Sequence, residues 1–154
     1  MLKYLGVDEE GVDVRIYVKE FKEKLLAQSK DLVHSIVVFG SRVRGNWKPW
    51  SDIDVMIVLR NIPPERKLEV VPYAPLVQPW IYTEKEFYEC LKKFDIAILD
   101  ALEYGLVIYD DGFWKKAKKY FEQFKKEWEL VPIEDGWISK RIEREALRRR
   151  RRKG

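Results

Sequence analysis

Two apolar runs, separated by a glycine–serine turn and a pair of aspartates, constrain the fold of this chain more than any other feature. Gly40 and Ser41 end the first run, Ser35–Phe39, and Asp52 and Asp54 open the second. Because consecutive strand side chains alternate between the two faces, the two aspartates point the same way, about 6.6 Å apart along the strand. The pattern predicts two buried strands that bring an acidic pair close to a tight turn.

These residue types suit a particular ligand. Two carboxylates on one face provide the oxygen ligands that hard divalent cations prefer. A glycine–serine turn offers backbone N–H groups and a hydroxyl to phosphate. Together they indicate a site for a metal-bound nucleoside triphosphate. The alternative is a plain turn between strands, with aspartates that only cap a strand end.

The segment FGSRVRGNWKPWSDIDVMIV carries a family resemblance. Its pattern GS-x-x-R-G-x5-SDID resembles the signature of nucleotidyltransferases of the DNA polymerase β superfamily. The similarity extends over residues 33–112 and is strongest to the small stand-alone minimal nucleotidyltransferases of bacteria and archaea. It implies an α/β fold of the nucleotidyltransferase (polymerase β-like) type, a small mixed sheet flanked by helices, here with a basic C-terminal helix or tail.

The resemblance also implies a reaction and a set of site residues. A hydroxyl acceptor attacks the α-phosphate of a nucleoside triphosphate, with ATP the most plausible donor of the NMP group, and Mg²⁺ is the implied cofactor. Asp52 and Asp54 match the catalytic metal ligands. The nucleotide-binding residues would be Gly40, Ser41, Arg42 and Arg44.

The third carboxylate of the family departs from the pattern. It often precedes a Thr-x-x-Glu-Phe segment, present here from Thr83 to Phe87, but the matching residue is Gln78. A glutamine carbonyl can coordinate a metal, although it cannot act as a general base. Glu69 is the only acidic residue of the preceding strand candidate and is expected to substitute. We therefore expect weakened or conditional activity.

Three functions remain open at this stage. The first is a magnesium-dependent nucleotidyltransferase, whose small relatives resemble antitoxins that modify a helical HEPN-type toxin partner. The second is a catalytically degenerate module that binds a nucleotide or a partner. The third is an RNA-modifying nucleotidyltransferase that uses the arginine-rich tail as its RNA arm.

Hydrophobic spacing and breakers predict the remaining elements. An amphipathic helix is expected over residues 12–29, and strands over Leu68–Tyr73 and Leu76–Tyr82. Pro79 removes a ladder donor and favours an edge position for the last of these. A capping box at Thr83 predicts a helix start. We expect a nucleotidyltransferase domain over residues 1–132.

The C-terminal residues 133–154 are expected to form a basic helix or tail. Residues 137–154 contain nine basic and two acidic side chains, a net +7, which leaves −3 for the rest of a chain with net charge +4. Such a segment is typical of an arm that binds RNA or another polyanion; a solvated helix end without a ligand is the alternative. Truncation after Glu134 is expected to cost little stability.

Composition narrows the class of protein. A single cysteine, Cys90, excludes an internal disulfide framework. The N-terminal residues lack the apolar core of a signal peptide, and no run approaches the length of a membrane-spanning helix. A cytoplasmic location without membrane association is therefore expected.

Overall fold

The structure is a computed structural model that describes residues 2–153. The chain divides into two compact units, the first ending at Trp114 and the second beginning at Lys115. The domain boundary predicted at residue 132 stays a prediction. Within the described residues, no helix is long and apolar enough to cross a membrane.

Seven helices and six strands make up the described chain. The helices are α1 Arg15–Ser29, α2 Ser41–Arg44, α3 Lys67–Val70, α4 Glu84–Lys92, α5 Ile96–Tyr104, α6 Phe113–Trp128 and α7 Lys140–Lys153. The strands are β1 Val33–Phe39, β2 Ile53–Leu59, β3 Val77–Thr83, β4 Leu106–Asp110, β5 Leu130–Ile133 and β6 Gly136–Ser139.

The first unit is built on a four-stranded mixed sheet in the order β3-β2-β1-β4. β1 is antiparallel to β2 and to β4, whereas β2 and β3 are parallel. β1 is buried along its whole length, as its apolar run predicts. The predicted mixed α/β sheet flanked by helices is confirmed.

Helix α1 covers one face of this sheet. Its buried residues Val18, Phe21 and Leu25 recur at helical spacing and belong to the same core cluster as Val38 and Val55. The side chains that alternate with Val38 and Val55 along β1 and β2 therefore point to the opposite face. Asp54 is one of them.

One predicted strand is wrong. The segment predicted as a strand over Leu68–Tyr73 begins instead as helix α3, which follows a short 3₁₀ turn at Pro64–Arg66. The two prolines at 63 and 64 favour this outcome, because proline is well tolerated in the first turn of a helix. Val70 of α3 joins the core cluster on the α1 side of the sheet.

The strand and helix predicted next along the chain are confirmed. β3 lies at the sheet edge and contains Pro79, as expected for a strand that lacks one backbone donor. At the start of α4, the Thr83 hydroxyl accepts from the Glu86 amide, and the Glu86 carboxylate accepts from the Thr83 amide. This reciprocal pair is the capping box that the sequence predicts.

The second unit joins α6 and α7 through a two-stranded hairpin of β5 and β6. The Ser139 hydroxyl donates to the Trp128 carbonyl and accepts from the Ile142 amide, so it links the end of α6 to the start of α7. Arg144 pairs with Glu129 at 2.6 Å. These contacts anchor β6 and the first turns of α7 and argue against the expectation that truncation after Glu134 costs little stability.

Two truncations separate the anchored from the free part of α7. Removal of residues 148–154 should leave the melting temperature within about 2 °C, because Arg148–Lys153 are exposed. Removal of everything after Glu134 deletes β6 and Ser139 and should lower it by more than about 5 °C. Scanning calorimetry measures both, and equal melting temperatures would contradict this view of the hairpin.

Candidate active site

The two aspartates lie where β2 begins. Ile53 and Val55 are fully buried in the α1 core, so Asp54 points to the sheet face opposite α1. Asp52 directly precedes the strand, is exposed, and is close enough for its charge to act on Asp54. Asp54 is opposite Phe39 at the end of β1 and opposite Gln78 in β3. This register places the end of β1 next to the beginnings of β2 and β3.

The Gly40 turn packs directly against Asp54. Gly40 has φ +82°, a backbone conformation that side chains disfavour. A Cβ at this position would also collide with Oδ2 of Asp54. Ser41 follows as the first residue of α2 and is half-buried. The glycine is therefore required for the turn to approach the carboxylate, and the structure brings Gly40 and Asp54 together, with Ser41 next in the chain.

Trp80 holds one oxygen of the Asp54 carboxylate. Its indole N–H donates to Oδ1 at 3.1 Å, and its ring meets Phe39 edge-on at 5.9 Å between centroids. Burial raises the pKa of Asp54, the hydrogen bond from Trp80 opposes this, and the charge of Asp52 adds to the rise. The ionised forms of the two carboxylates are therefore disfavoured at this site, and a bound cation would stabilise them.

Gln78 occupies the third position of the site. Its parallel register with Asp54 places the two residues side by side on neighbouring strands. Within the described chain, no group of three or more histidine, cysteine or acidic side chains could hold a metal ion. Asp52, Asp54 and the Gln78 amide are therefore the side chains here that could offer a cation oxygen ligands of the type that Mg²⁺ accepts.

The structure does not bring Glu69 to this set. Glu69 lies on α3, its side chain is 73% exposed, and its carboxylate is 3.9 Å from Arg66. Since α3 packs on the α1 side of the sheet, Glu69 and the aspartates belong to different faces. The wrong strand assignment explains why the sequence suggested Glu69.

The motif suggests that Arg42 binds phosphate, but its side chain is buried in contact with backbone carbonyls. It is 1% exposed, and its guanidinium donates to the carbonyls of Leu5, Val7, Pro49 and Ser51. These five bonds use all five N–H donors of the side chain. Arg42 therefore holds the loop between α2 and β2 rather than offering a donor to phosphate.

Arg44 and the loop tryptophans complete the surroundings. The Arg44 guanidinium lies 4.8 Å from the ring centroid of Tyr104, on an exposed side chain. Trp47 packs under Arg42 at 5.0 Å, which favours a role in fixing the loop, whereas Trp50 is 65% exposed. Arg44 thus stays the accessible cation of the motif.

Sequence reasoning missed Trp80. The signal was present, because Trp80 follows Gln78 by two residues and so shares its strand face. Only the parallel register of β2 and β3, which the sequence does not encode locally, shows that this face meets Asp54.

Loss of the Arg42 hydrogen bonds should destabilise the protein. Arg42→Met keeps the length of the side chain but leaves buried carbonyls without donors, so the free energy of unfolding should fall by at least about 3 kcal/mol. Arg44→Met, at an exposed position, is the matched control and should change it by less than about 0.5 kcal/mol. Urea denaturation compares the two, and equal losses would contradict the assignment.

Asp54→Asn should stabilise the metal-free protein at neutral pH. Because burial raises the folded-state pKa of Asp54 above its ordinary value of 3.8, the ionised carboxylate opposes folding at pH 7. The melting temperature of the variant should exceed that of wild type in EDTA. The advantage should shrink as the pH falls through the raised pKa, since wild type then becomes protonated. A lower melting temperature for Asp54→Asn at pH 7 would contradict this electrostatic account.

Comparison with known proteins places this geometry in context. A family model described as a nucleotidyltransferase domain matches residues 15–153. Two Methanocaldococcus jannaschii relatives, each named a putative protein adenylyltransferase, are similar in sequence. One is 27% identical over 137 residues, covering 74% of this chain and 92% of the relative. The other is 30% identical over 74 residues, covering 42% and 75%.

Solved structures show more distant likenesses. A Sulfolobus solfataricus protein described as a putative nucleotidyltransferase has a TM-score of 0.46 and 21% identity, with 62% of this chain and 79% of that one covered. A toxin–antitoxin crystal structure with AMP-PNP has a TM-score of 0.45 and 15% identity, with 72% and 92% covered.

Proposed function

The chain belongs to the nucleotidyltransferase domain family, and we propose that it transfers the NMP group of a nucleoside triphosphate, AMP from ATP, to a hydroxyl acceptor on a protein. One observation carries the proposal: the Gly40 turn packs directly against Asp54, and the charge of Asp52, two residues earlier, is close enough to raise the pKa of Asp54. The names of the Methanocaldococcus jannaschii relatives support adenylyl transfer to protein.

Each site residue has a defined part in this reaction. Asp52 and Asp54 would hold Mg²⁺, with the Gln78 carbonyl as a neutral third oxygen. When bound, the ion neutralises the carboxylate pair and the triphosphate charge. Ser41 and the amides around Gly40 would receive the β- and γ-phosphates, and Arg44 would add positive charge near them. Trp80 orients Asp54 by holding Oδ1.

The site has glutamine at the position where the family places a third carboxylate, which affects proton transfer. The incoming hydroxyl must lose a proton as it attacks the α-phosphate, and a glutamine cannot accept it. Asp54 has a raised pKa, but Trp80 occupies one of its oxygens. Turnover should therefore be slow unless the acceptor protein supplies the base. The acceptor we infer is a helical toxin of the HEPN type, as the sequence resemblance implies, and the cytoplasm is the expected location.

The position of a radioactive label in ATP tests which phosphate is transferred. With Mg²⁺ and an acceptor protein, label should move to protein from α-labelled ATP but not from γ-labelled ATP, because pyrophosphate leaves. Asp52→Asn should lower the rate by at least about 100-fold. Gln78→Asp should raise it by restoring a base. Transfer of the γ-label, or full activity of Asp52→Asn, would overturn the proposal.

A second candidate role, RNA binding, rests on the charge of the second unit. Residues 115–154 contain 15 basic and 7 acidic side chains, a net +8, which leaves −4 for residues 1–114. Arg141 and Arg144 are used within the unit, against Trp128 and Glu129. Arg148–Lys153 are exposed and form no ion pair within residues 2–153. We infer that this helical end binds the phosphates of an RNA.

Salt dependence tests the RNA role. Fluorescence anisotropy with a labelled single-stranded RNA of about 20 nucleotides should show binding that weakens steeply with salt. Removal of residues 148–154 should lower the slope of log affinity against log salt by about 2 to 3. Replacing Arg148–Arg152 by lysine keeps the charge and is the control. Equal affinity without these residues would remove the role.

A further inference from the structure

The two edges of the four-stranded sheet differ in how well they are protected. β3, at one edge, contains Pro79, which has no backbone N–H to offer an added strand. β4, at the other edge, has no proline and pairs only with β1 within residues 2–153. An unprotected edge of this kind is a template for an additional strand.

A groove of about 750 Å³ lies beside the β4 edge. Its apolar lining comes from the N-terminal segment, α1 and β4, namely Leu2, Val18, Leu106, Val107 and Ile108. Leu106 and Ile108 pack against the core cluster on the α1 side and stay half-buried, whereas Val107, paired with Val37, points to the opposite face at the strand edge and is 47% exposed. Apolar surface that remains open beside an unpaired strand is typical of a docking site for a peptide.

The remaining lining residues are all cations. Lys3, Arg15, Lys19 and Lys22 line the groove, and no carboxylate does. Arg15 is bound to Asp13 at 2.7 Å, and Lys19 is 4.0 Å from Glu23, a distance that leaves it weakly paired. Lys22 has no ion pair in the described chain. This cationic cluster is an exception in a unit whose net charge is −4.

We propose that the β4 edge and this groove bind an extended acidic segment of a partner protein as an added strand. Backbone hydrogen bonds to β4 would give the affinity, apolar side chains would enter the groove, and carboxylates would meet Lys19 and Lys22. The unpaired backbone edge favours a peptide over a nucleic acid, since a phosphate backbone cannot extend a sheet.

The docking surface and the aspartates are on different faces of the sheet. The groove is lined by α1, whereas Asp54 points to the face opposite α1 and Asp52 directly precedes the same strand. A bound segment would therefore leave the nucleotide site open. The inference does not rest on the proposed reaction, so failure of either one leaves the other standing.

Anisotropy with a defined peptide tests the proposal. The probe is a fluorescein-labelled peptide that repeats two glutamates and two valines, so that each strand face carries both types. The full-length protein should bind it, and Lys19→Glu with Lys22→Glu should weaken binding by at least about tenfold. The matched control is Lys92→Glu with Lys93→Glu at the end of α4, which changes the same charge at exposed positions that do not line the groove and should leave affinity unchanged.

Amide hydrogen exchange supplies a second readout at the edge itself. The bound peptide should slow exchange in β4 and not in β3. A peptide with lysine in place of glutamate, or serine in place of valine, should bind much more weakly. Equal binding by both double variants, or no added protection in β4, would overturn the proposal. Self-association of the protein that is abolished by Lys19→Glu with Lys22→Glu would also overturn it, because the occupant would then be a second copy of the chain.

Discussion

One buried guanidinium holds together the segments that form the candidate site. Arg42 lies at the second residue of α2, and its five hydrogen bonds reach the N-terminal segment through Leu5 and Val7 and the loop through Pro49 and Ser51. The Leu5 carbonyl would otherwise be buried without a donor, and the other three accepting carbonyls are partly buried. Because Ser51 directly precedes Asp52, the position of the acidic pair depends on this contact. Arg42 thus contributes to the site by fixing the backbone that carries the aspartates.

The negative charge of Asp54 is unfavourable in the folded protein. Asp54 is half-buried, lies near Asp52 and has one hydrogen bond from a neutral indole. No cationic side chain forms an ion pair with it in the described chain. Proteins commonly accept such local cost where a ligand will supply the missing charge. The rigid β1–β2 framework around the pair, buried along almost its whole length, makes that cost tolerable.

Local patterns in the sequence predicted the parts of the fold that local physics determines. The apolar runs around Gly40 and Asp54, the capping box at Thr83 and the edge position of Pro79 follow from alternation, capping and missing donors. The strand predicted over Leu68–Tyr73 was wrong because a short apolar stretch does not distinguish a strand from a helical turn. The roles of Arg42 and Trp80 were missed because both depend on partners distant in sequence, at Leu5 and at Asp54. Motif spacing shows which residues are near the site but not which way each side chain turns.

The indole hydrogen bond to Asp54 has an optical consequence. The emission of a tryptophan responds to charges and hydrogen bonds at its ring, and Trp80 is bonded to a carboxylate that should coordinate the metal. A cation arriving at Asp54 changes the field at this fluorophore directly, without any movement of the backbone. Trp114, by contrast, is buried and packs against Phe87. The chain therefore contains an intrinsic spectroscopic reporter at its candidate catalytic centre.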